Sequence, residues 1–507
     1  MTSTVRMLQR CLTAAGLMLA ANRLAAQPFT IVGGCNDPAA CKDAAVTKAC
    51  QALAITNKDI ANCKQPSAGV GNCNLSVLQS YAQGYWQELQ EAIASCTPPP
   101  ASRCPVVTAT TFTLLHEFAG GADGQAPLAG LLLDNKGALY GTTIFGGTGH
   151  GTVFRLTPPA GAQTQWSKTA LYSFAGTNDG AGPISALTSD AGGKLYGTTG
   201  SGGSVGPVFG PRVFQLQPSA TVPWGETVIA SFSNEGGNNT VWGPVIFGKG
   251  GALYGVTTGT TFGATGTDNG SVFELAFDPN MSQWKQTTIY TFTGGSDGFD
   301  PVYSLTADTS GALYGTTQMG GTGAGTVFKL TPPGPNQTQW NKTTLYQFNS
   351  SYGAPVGPLT LDGSGALYGM RALGVEPTMG TPNVGVAFKL TPPGPGQTLW
   401  TETILHQFSG AGDGLAPDGA LLLDKNGALY GTTWLGGTTG NGIVFRLTPP
   451  ATVQAPWTET VLHSFTGGLD GSNPLGSLIA DPCGALYGTT NTGGLGYGTV
   501  FKLAFPP

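Results

Sequence analysis

One tripeptide, Leu-Tyr-Gly, recurs seven times in this chain of 507 residues and constrains its fold more than any other feature. The copies are centred on tyrosines that lie 54 to 62 residues apart, namely Tyr140, Tyr196, Tyr254, Tyr314, Tyr368, Tyr430 and Tyr487. Self-similarity at such a period is typical of folds that repeat one supersecondary unit. The sequence therefore predicts an array of seven related units.

Each unit contains four strand-like pieces, A to D, separated by Gly-rich turns. In the first unit they span residues 128–134, 138–143, 151–157 and 168–174. Strands of this length and spacing form antiparallel meanders. Piece B carries packing residues on both faces, which a single sheet cannot bury. Sheets packed face to face around an axis bury both, so the pattern predicts a β-propeller.

The order of the pieces predicts how the ring closes. The repeat region opens with a piece D at 113–118 that follows no A, B or C, and it ends with A, B and C at 475–503. The first D piece is therefore expected to complete the last blade. We predict an all-β fold, a seven-bladed β-propeller over residues 105–507 closed by an N-terminal strand.

The first 104 residues differ from the repeat. Residues 1–26 have the form of a signal peptide, with Arg6 and Arg10 before a short apolar stretch and small residues before Gln27. That stretch is too short to span a bilayer, so we expect a secreted protein, periplasmic or extracellular, with no transmembrane segment in the mature chain. Residues 27–104 hold seven of the nine cysteines and helical apolar spacing. They predict a small disulfide-rich helical module ending in a Pro-rich linker.

Topology also predicts one disulfide bond. Cys483 lies in the A-to-B turn of the last blade, and Cys104 lies just before the D strand expected to complete that blade. Because strand D starts on the face that carries the A-to-B turns, a bond between Cys104 and Cys483 is expected.

Charge and composition exclude one class of partner. Only 10% of the residues are charged, the net charge is −5, and no basic cluster occurs. Nucleic-acid binding requires a Lys/Arg patch, so we expect no nucleic-acid partner. We expect a monomer without a cofactor, with Ca²⁺ as the one ion to consider.

The turns fall on two faces of the predicted ring. Six of the seven A-to-B turns begin with Asp and have Gly at the fourth position, which favours a type I turn and a structural role. The B-to-C and D-to-A loops then share the opposite face, where propellers usually bind ligands. Five D-to-A loops contain an Asp-Gly pair, at Asp123, Asp179, Asp297, Asp413 and Asp470. Turn formation is the main interpretation, and a ring of carboxylates for Ca²⁺ or sugar hydroxyls is the alternative.

The repeated motif resembles that of a known family. Gly-x-Leu-Tyr-Gly-Thr-Thr, then Gly-Gly, then Gly-Thr-Val-Phe-x-Leu is similar to the GloVer tandem repeat of secreted bacterial proteins, the choice-of-anchor group. The best matches are residues 139–156, 313–330, 429–447 and 486–503, and the resemblance extends over 112–507. It implies an exported bacterial protein, and it implies no established activity or catalytic residues.

Departures from the repeat supply the candidate ligand-binding residues. They are Arg371 and Glu376 in the fifth blade, Trp242 and Asp268 in the third, Trp434 in the sixth, and His150 in a B-to-C loop. Trp beside Asp and Arg suits glycan binding, and drift of an imperfect repeat is the alternative interpretation. The other three histidines, His116, His406 and His463, replace tyrosines of strand D and are expected to be packing residues with a polar tip.

Three functions remain open at this level. The first is an extracellular binding module for a glycan or envelope polymer. The second is a structural or protein-interaction propeller. The third is a polysaccharide or ester lyase or hydrolase with its site on the B-C/D-A loop face. No catalytic motif is present, and Arg371 with His150 is the best pair that the third function has.

Overall fold

The computed structural model describes residues 104–160, 165–201, 210–232, 240–259, 268–335, 337–349, 352–372, 385–410, 412–452 and 455–506. Within these ranges 29 strands form seven antiparallel sheets, and the 3-10 helices that lie wholly inside them are Gly121–Asp123 and Gly295–Asp297. The predicted all-β, seven-bladed propeller is confirmed. The predicted signal peptide and helical module lie outside the described residues, except for Cys104.

The first four blades follow the chain in order. Blade 1 contains β2 (Leu132–Leu133), β3 (Leu139–Thr143), β4 (Thr152–Thr157) and β5 (Ser167–Ser173). Blade 2 contains β6 (Ala181–Pro183), β7 (Thr188–Ser189), β8 (Leu195–Ser201), β9 (Arg212–Gln217) and β10 (Gly225–Ser231). Blade 3 contains β11 (Ile246–Phe247), β12 (Leu253–Thr257), β13 (Ser271–Asp278) and β14 (Gln283–Thr291). Blade 4 contains β15 (Thr306–Ala307), β16 (Leu313–Thr317), β17 (Thr326–Thr331) and β18 (Asn341–Gln347).

The last three blades include one strand from the start of the propeller. Blade 5 contains β19 (Ala354–Leu361), β20 (Leu367–Ala372), β21 (Val386–Thr391) and β22 (Thr401–Gln407). Blade 6 contains β23 (Leu415–Leu423), β24 (Leu429–Leu435), β25 (Ile443–Thr448) and β26 (Thr458–Ser464). Blade 7 contains β27 (Ile479–Ala480), β28 (Leu486–Thr490), β29 (Thr499–Ala504) and β1 (Thr111–Glu117).

The N-terminal strand closes the ring. β1 pairs antiparallel with β29, with Thr111 opposite Ala504 and Glu117 opposite Thr499. The apolar core consists of clusters that each join two consecutive blades, and one of them contains Phe118, Phe154 and Tyr487. That cluster joins blade 7 to blade 1. The predicted closure is therefore present both in backbone hydrogen bonds and in side-chain packing.

Each repeated tyrosine is anchored to its own blade. Tyr140 donates its hydroxyl hydrogen to Asp134 at 3.1 Å, and the other oxygen of Asp134 accepts the N–H groups of Lys136 and Ala138 at 2.8 Å. The same Tyr-to-Asp bond recurs in blades 2 and 4 to 7. The carboxylates of the A-to-B turns are therefore structural, as predicted.

Two further predictions from the sequence concern a disulfide bond and membrane-spanning segments. Cys104 and Cys483 are both disulfide-bonded, which is the state that the predicted bond requires of each. No helix among the described residues is long and apolar enough to cross a membrane.

Candidate functional site in the central channel

Each blade begins with a short segment that lies just before its first strand or forms part of it. We call this the inner segment, and it packs against the inner segments of the neighbouring blades around the axis. A Cβ added to Gly357 would lie 2.0 Å from the Gly419 carbonyl oxygen, and one added to Gly419 would lie 3.2 Å from that of Leu475. One added to Gly130 would lie 2.9 Å from the carbonyl oxygen of Ser477. The inner segments of blades 5, 6, 7 and 1 therefore follow one another at backbone contact distance.

The inner segments share one pattern of burial over five residues each, in blade order 127–131, 183–187, 241–245, 301–305, 355–359, 417–421 and 474–478. Six begin with a buried proline, the third blade has Val241 there, and each ends four residues later in a buried Leu or Val. The second position is partly or fully exposed in all seven segments and the fourth is partly exposed in five, because successive side chains of an extended backbone point to opposite sides. We call these seven second-position residues the channel ring: Leu128, Ile184, Trp242, Val302, Val356, Asp418 and Leu475.

Asp418 is the one ionisable member of the channel ring. Its carboxylate accepts the Gly419 N–H at 2.7 Å, and within the described ranges it forms no ion pair. Burial raises the pKa of Asp418 to about 6, and the Gly419 N–H offsets only part of that effect. Asp418 can therefore change its charge in mildly acidic conditions.

Tyr303 is the second departure in the inner segments. The third position is otherwise small, being Ala129, Ser185, Gly243, Gly357, Gly419 or Gly476. The Tyr303 hydroxyl accepts a hydrogen bond from Gln318 Nε2 at 3.4 Å, and the Gly357 N–H acts to lower the pKa of Tyr303. Burial raises the pKa of Tyr303, and the negative charges of Asp418 and then Asp300 raise it further. The phenol therefore stays protonated, and it shares one electrostatic environment with Asp418.

Trp242 completes the set of departures. It occupies the channel-ring position of blade 3, and 53% of its surface is exposed. We use the name channel site for the three departures in the inner segments of blades 3, 4 and 6, of which Trp242 and Asp418 hold the second position and Tyr303 the third. The site combines an indole face, a protonated phenol and a titratable carboxyl. Indoles stack on sugar rings and both other groups form hydrogen bonds with hydroxyls, so the set suits a hydroxyl-rich ligand.

Arg371, predicted as a ligand contact, is fully buried between blades 4 and 5. Its Nη1 lies 3.1 Å from Glu402 Oε1, its Nε donates to the Gly353 carbonyl at 3.0 Å, and its Cζ lies 4.4 Å from the Phe348 ring centroid. Tyr346 donates to the second oxygen of Glu402 at 3.1 Å. Arg371 thus neutralises a buried carboxylate and holds two blades together.

The Asp-Gly carboxylates of the D-to-A loops also lie between blades. Asp297 accepts the Tyr290 hydroxyl at 2.8 Å, the Thr293 N–H at 2.8 Å and Lys342 Nζ at 2.6 Å. At Asp123, Asp179, Asp413 and Asp470 the residue seven positions earlier is again the partner, as a histidine or a tyrosine. The three histidines of strand D are therefore packing residues with a polar tip, as predicted. Within the described ranges no three His, Cys, Asp or Glu side chains are placed to hold a metal ion.

The remaining predicted residues are spread over several blades. A Cβ at Gly176 would lie 2.4 Å from His150 Cγ, so that imidazole covers a loop glycine between blades 1 and 2. Asp268 accepts the Gly270 N–H at 2.9 Å. Trp434 is partly buried, and its indole N–H is enclosed without a hydrogen-bond partner in the described residues. Glu376 lies outside those residues. The structure does not bring Arg371 and His150 together.

Tyr303 and Asp418 are absent from the residues predicted from the sequence. Their signal is a fixed distance before the A-to-B turn, since Asp418 stands six residues before Asp424 and Tyr303 five before Asp308. Aligning the inner segments on that turn identifies both as departures.

No curated protein matches this chain. Among solved structures, PorZ, a surface component of the type-IX secretion system of Porphyromonas gingivalis, is 13% identical with a TM-score of 0.41. That match covers 74% of this chain and 46% of PorZ, so the chain corresponds to less than half of that protein. A glucose dehydrogenase is 14% identical with a TM-score of 0.39, over 78% of this chain and 99% of that one. The PQQ domain of pyranose dehydrogenase from Coprinopsis cinerea is 12% identical with a TM-score of 0.36, over 74% and 99%.

The family is shown by the repeat itself. The pattern of the Gloeobacter/Verrucomicrobia repeat matches residues 105–259, 209–400 and 371–506, which together span the propeller. The chain therefore belongs to the Gloeobacter/Verrucomicrobia repeat family.

Proposed function

We propose that this protein is an exported binding module that takes a hydroxyl-rich ligand, a glycan or envelope polymer, into its central channel. One observation carries the proposal. In a ring of seven closely similar inner segments, an exposed indole, a phenol and a titratable carboxyl replace the apolar or small residue of the repeat at Trp242, Tyr303 and Asp418. Each departure adds a ring face or a polar group that a sugar can contact.

The chemistry of the channel site favours a neutral or weakly basic ligand. The indole face of Trp242 offers a stacking surface, the Tyr303 hydroxyl can donate to a ligand oxygen, and the Asp418 carboxyl can accept from a ligand hydroxyl. Asp418 has no cationic partner in the described residues, so an anionic group at this position would meet an unbalanced negative charge. Sugars with free hydroxyls meet these requirements.

Export is part of the same proposal. The disulfide-bonded state of Cys104 and Cys483 supports an oxidising compartment, where such bonds persist. Membership of the Gloeobacter/Verrucomicrobia repeat family also supports export, because the repeated motif resembles that of secreted bacterial proteins.

A glycan array probed with the purified protein tests the function, followed by calorimetric titration of the best ligand. We expect saturable binding that weakens by roughly tenfold or more in Asp418→Asn, since a hydrogen bond to a charged group contributes about 1.5–3 kcal/mol. Trp242→Ala is expected to weaken binding by a similar factor, because it removes the stacking surface. Leu399→Ala is the control, because Leu399 is 80% exposed and lies in the connection between β21 and β22, outside the inner segments. Absence of any glycan ligand, or binding that both channel variants retain in full, would reject the proposal.

A further inference from the structure

A second concave site lies away from the channel, at the outer boundary between blades 3 and 4. This cavity, which we call the seam cleft, has a volume of 670 Å³. Its wall is formed by residues 287–291 of β14, by residues 332–333 and 338–340 of the β17–β18 connection, and by Tyr254 and Glu274. Its wall contains none of the channel-site residues.

Two coupled departures from the repeat occur at this cleft. In blade 4 the residue opposite the repeated tyrosine is Lys329, whose Nζ lies 5.1 Å from the centroid of the Tyr314 ring. Blades 5 and 7 repeat that contact at 5.2 Å. In blade 3 the residue opposite Tyr254 is Glu274. A carboxylate therefore replaces the cation that would lie over the ring.

The tyrosine of blade 3 has also changed its partner. Gly248 replaces the turn Asp, and a Cβ at that position would lie 2.4 Å from Tyr254 Cε2. Tyr254 instead donates its hydroxyl hydrogen to Glu274 Oε1 at 2.7 Å. The second oxygen of Glu274 forms no hydrogen bond within the described residues. One carboxylate oxygen in the wall of the cleft thus remains available to a ligand.

The rest of the wall consists of rings, hydroxyls and an amide. Trp340 packs edge-on against Tyr254, with ring centroids 5.7 Å apart. Thr287, Thr288 and Gln339 line the same space and form no side-chain hydrogen bond among the described residues. Aromatic rings beside several hydroxyls, an amide and one carboxylate match the C–H faces and hydroxyl groups of a sugar ring. A negatively charged sugar would be repelled by Glu274.

We propose that the seam cleft binds a neutral sugar unit of an oligosaccharide, and that it does so independently of the channel site. Glu274 accepts a hydrogen bond from a sugar hydroxyl, and the Tyr254 and Trp340 rings pack against the sugar ring. This site goes beyond the proposed function, which depends on the channel alone.

The test uses the full chain carrying Trp242→Ala, so that the channel site does not contribute. It is titrated calorimetrically with cellohexaose, xylohexaose, maltohexaose and chitohexaose. We expect at least one hexaose to bind, and binding to fall at least tenfold when Glu274→Lys restores the cation of the repeat. Thr288→Val, an exposed substitution with little effect on folding, is expected to weaken the same ligand several-fold.

Lys329→Gln, at the equivalent position of blade 4, is the matched control and is expected to leave the affinity unchanged. Thermal melting of each variant shows that the fold is retained. The proposal is overturned if no hexaose binds, or if Glu274→Lys and Thr288→Val both bind the hexaose as tightly as their parent. Because the channel variants are measured separately, failure of the seam cleft and failure of the channel site give different results.

Discussion

After burial, the charge of Asp418 contributes most to the raised pKa of Tyr303, although the two residues belong to blades 6 and 4. The Gly357 N–H of blade 5 acts on the same pKa in the opposite direction and lowers it. Groups from the inner segments of blades 5 and 6 thus both act on the phenol of blade 4. The pair brings together the two departures that distinguish these segments from a plain repeat.

The first prediction concerns pH and Asp418. Burial raises its pKa from 3.8 to about 6, so the folded chain binds this proton more tightly than the unfolded chain. The contribution of this carboxyl to the free energy of unfolding is fully present below about pH 4 and is lost as the pH rises through about 6. Asp418→Asn, which keeps the shape and removes the charge, should increase the free energy of unfolding at pH 7 by about 2 kcal/mol. Denaturant unfolding at pH 7 and pH 4 measures this, and an equal gain at both pH values would contradict it.

The second prediction concerns two blades, 2 and 6, in which a glutamate of the last strand occupies the position that holds a lysine in blade 4. Lys342 lies opposite Leu330 and pairs with Asp297, whereas Glu226 and Glu459 lie opposite the corresponding leucines of blades 2 and 6. Each of these glutamates has a buried carboxyl oxygen without a partner in the described residues. Burial, and then the charge of Asp179 or Asp413, raises the pKa of each to about 7.

Both glutamates therefore favour the folded state at low pH and lose that effect between about pH 4.5 and 7. The double variant Glu226→Gln/Glu459→Gln is expected to melt several degrees higher than the parent chain at pH 8. At pH 4.5, where the parent glutamates are protonated, the two proteins should melt together. Scanning calorimetry at the two pH values measures the difference, and a parent chain that melts higher at pH 8 would show that the carboxylates stabilise these blades.

The third prediction separates Arg371 from ligand binding. Arg371→Met leaves Glu402 buried without its cation, and breaking a buried pair costs about 3–5 kcal/mol. Adding Glu402→Gln should recover a large part of that loss, since the unpaired charge is then gone. Glycan affinity of the folded variant should equal that of the parent. A folded Arg371→Met protein with normal stability and reduced glycan binding would instead assign Arg371 to the ligand.

The fourth prediction concerns the bond between Cys104 and Cys483. Peptide mapping without reductant should yield one linked peptide that contains both residues. Cys483→Ser should lower the free energy of unfolding by about 2–4 kcal/mol, because the bond restrains the N-terminal end of the last blade. A peptide that links Cys104 to any other cysteine would disprove this pairing.

The fold could be predicted because its signal is repeated seven times. Leu-Tyr-Gly, the turn Asp and the first D strand each point to one closed ring, and the structure contains all three features. Local turn chemistry was equally readable, since a turn Asp needs only its own backbone and the tyrosine six residues later.

The site was harder to predict because a departure from the repeat has two possible causes. Arg371 departs because Glu402, far away in sequence, needs a cation, and no local pattern marks that partner. Trp242 departs at an exposed position between two buried residues, which only the burial of its neighbours reveals. Tyr303 and Asp418 become conspicuous once the inner segments are aligned on the turns that follow them.

The most direct test is a crystal structure of the protein soaked with the glycan that binds best on the array. We expect a sugar ring against Trp242, with hydroxyl oxygens within hydrogen-bond distance of the Tyr303 hydroxyl and the Asp418 carboxyl. A sugar found elsewhere on the propeller, with the channel wall unoccupied at saturating ligand, would contradict it.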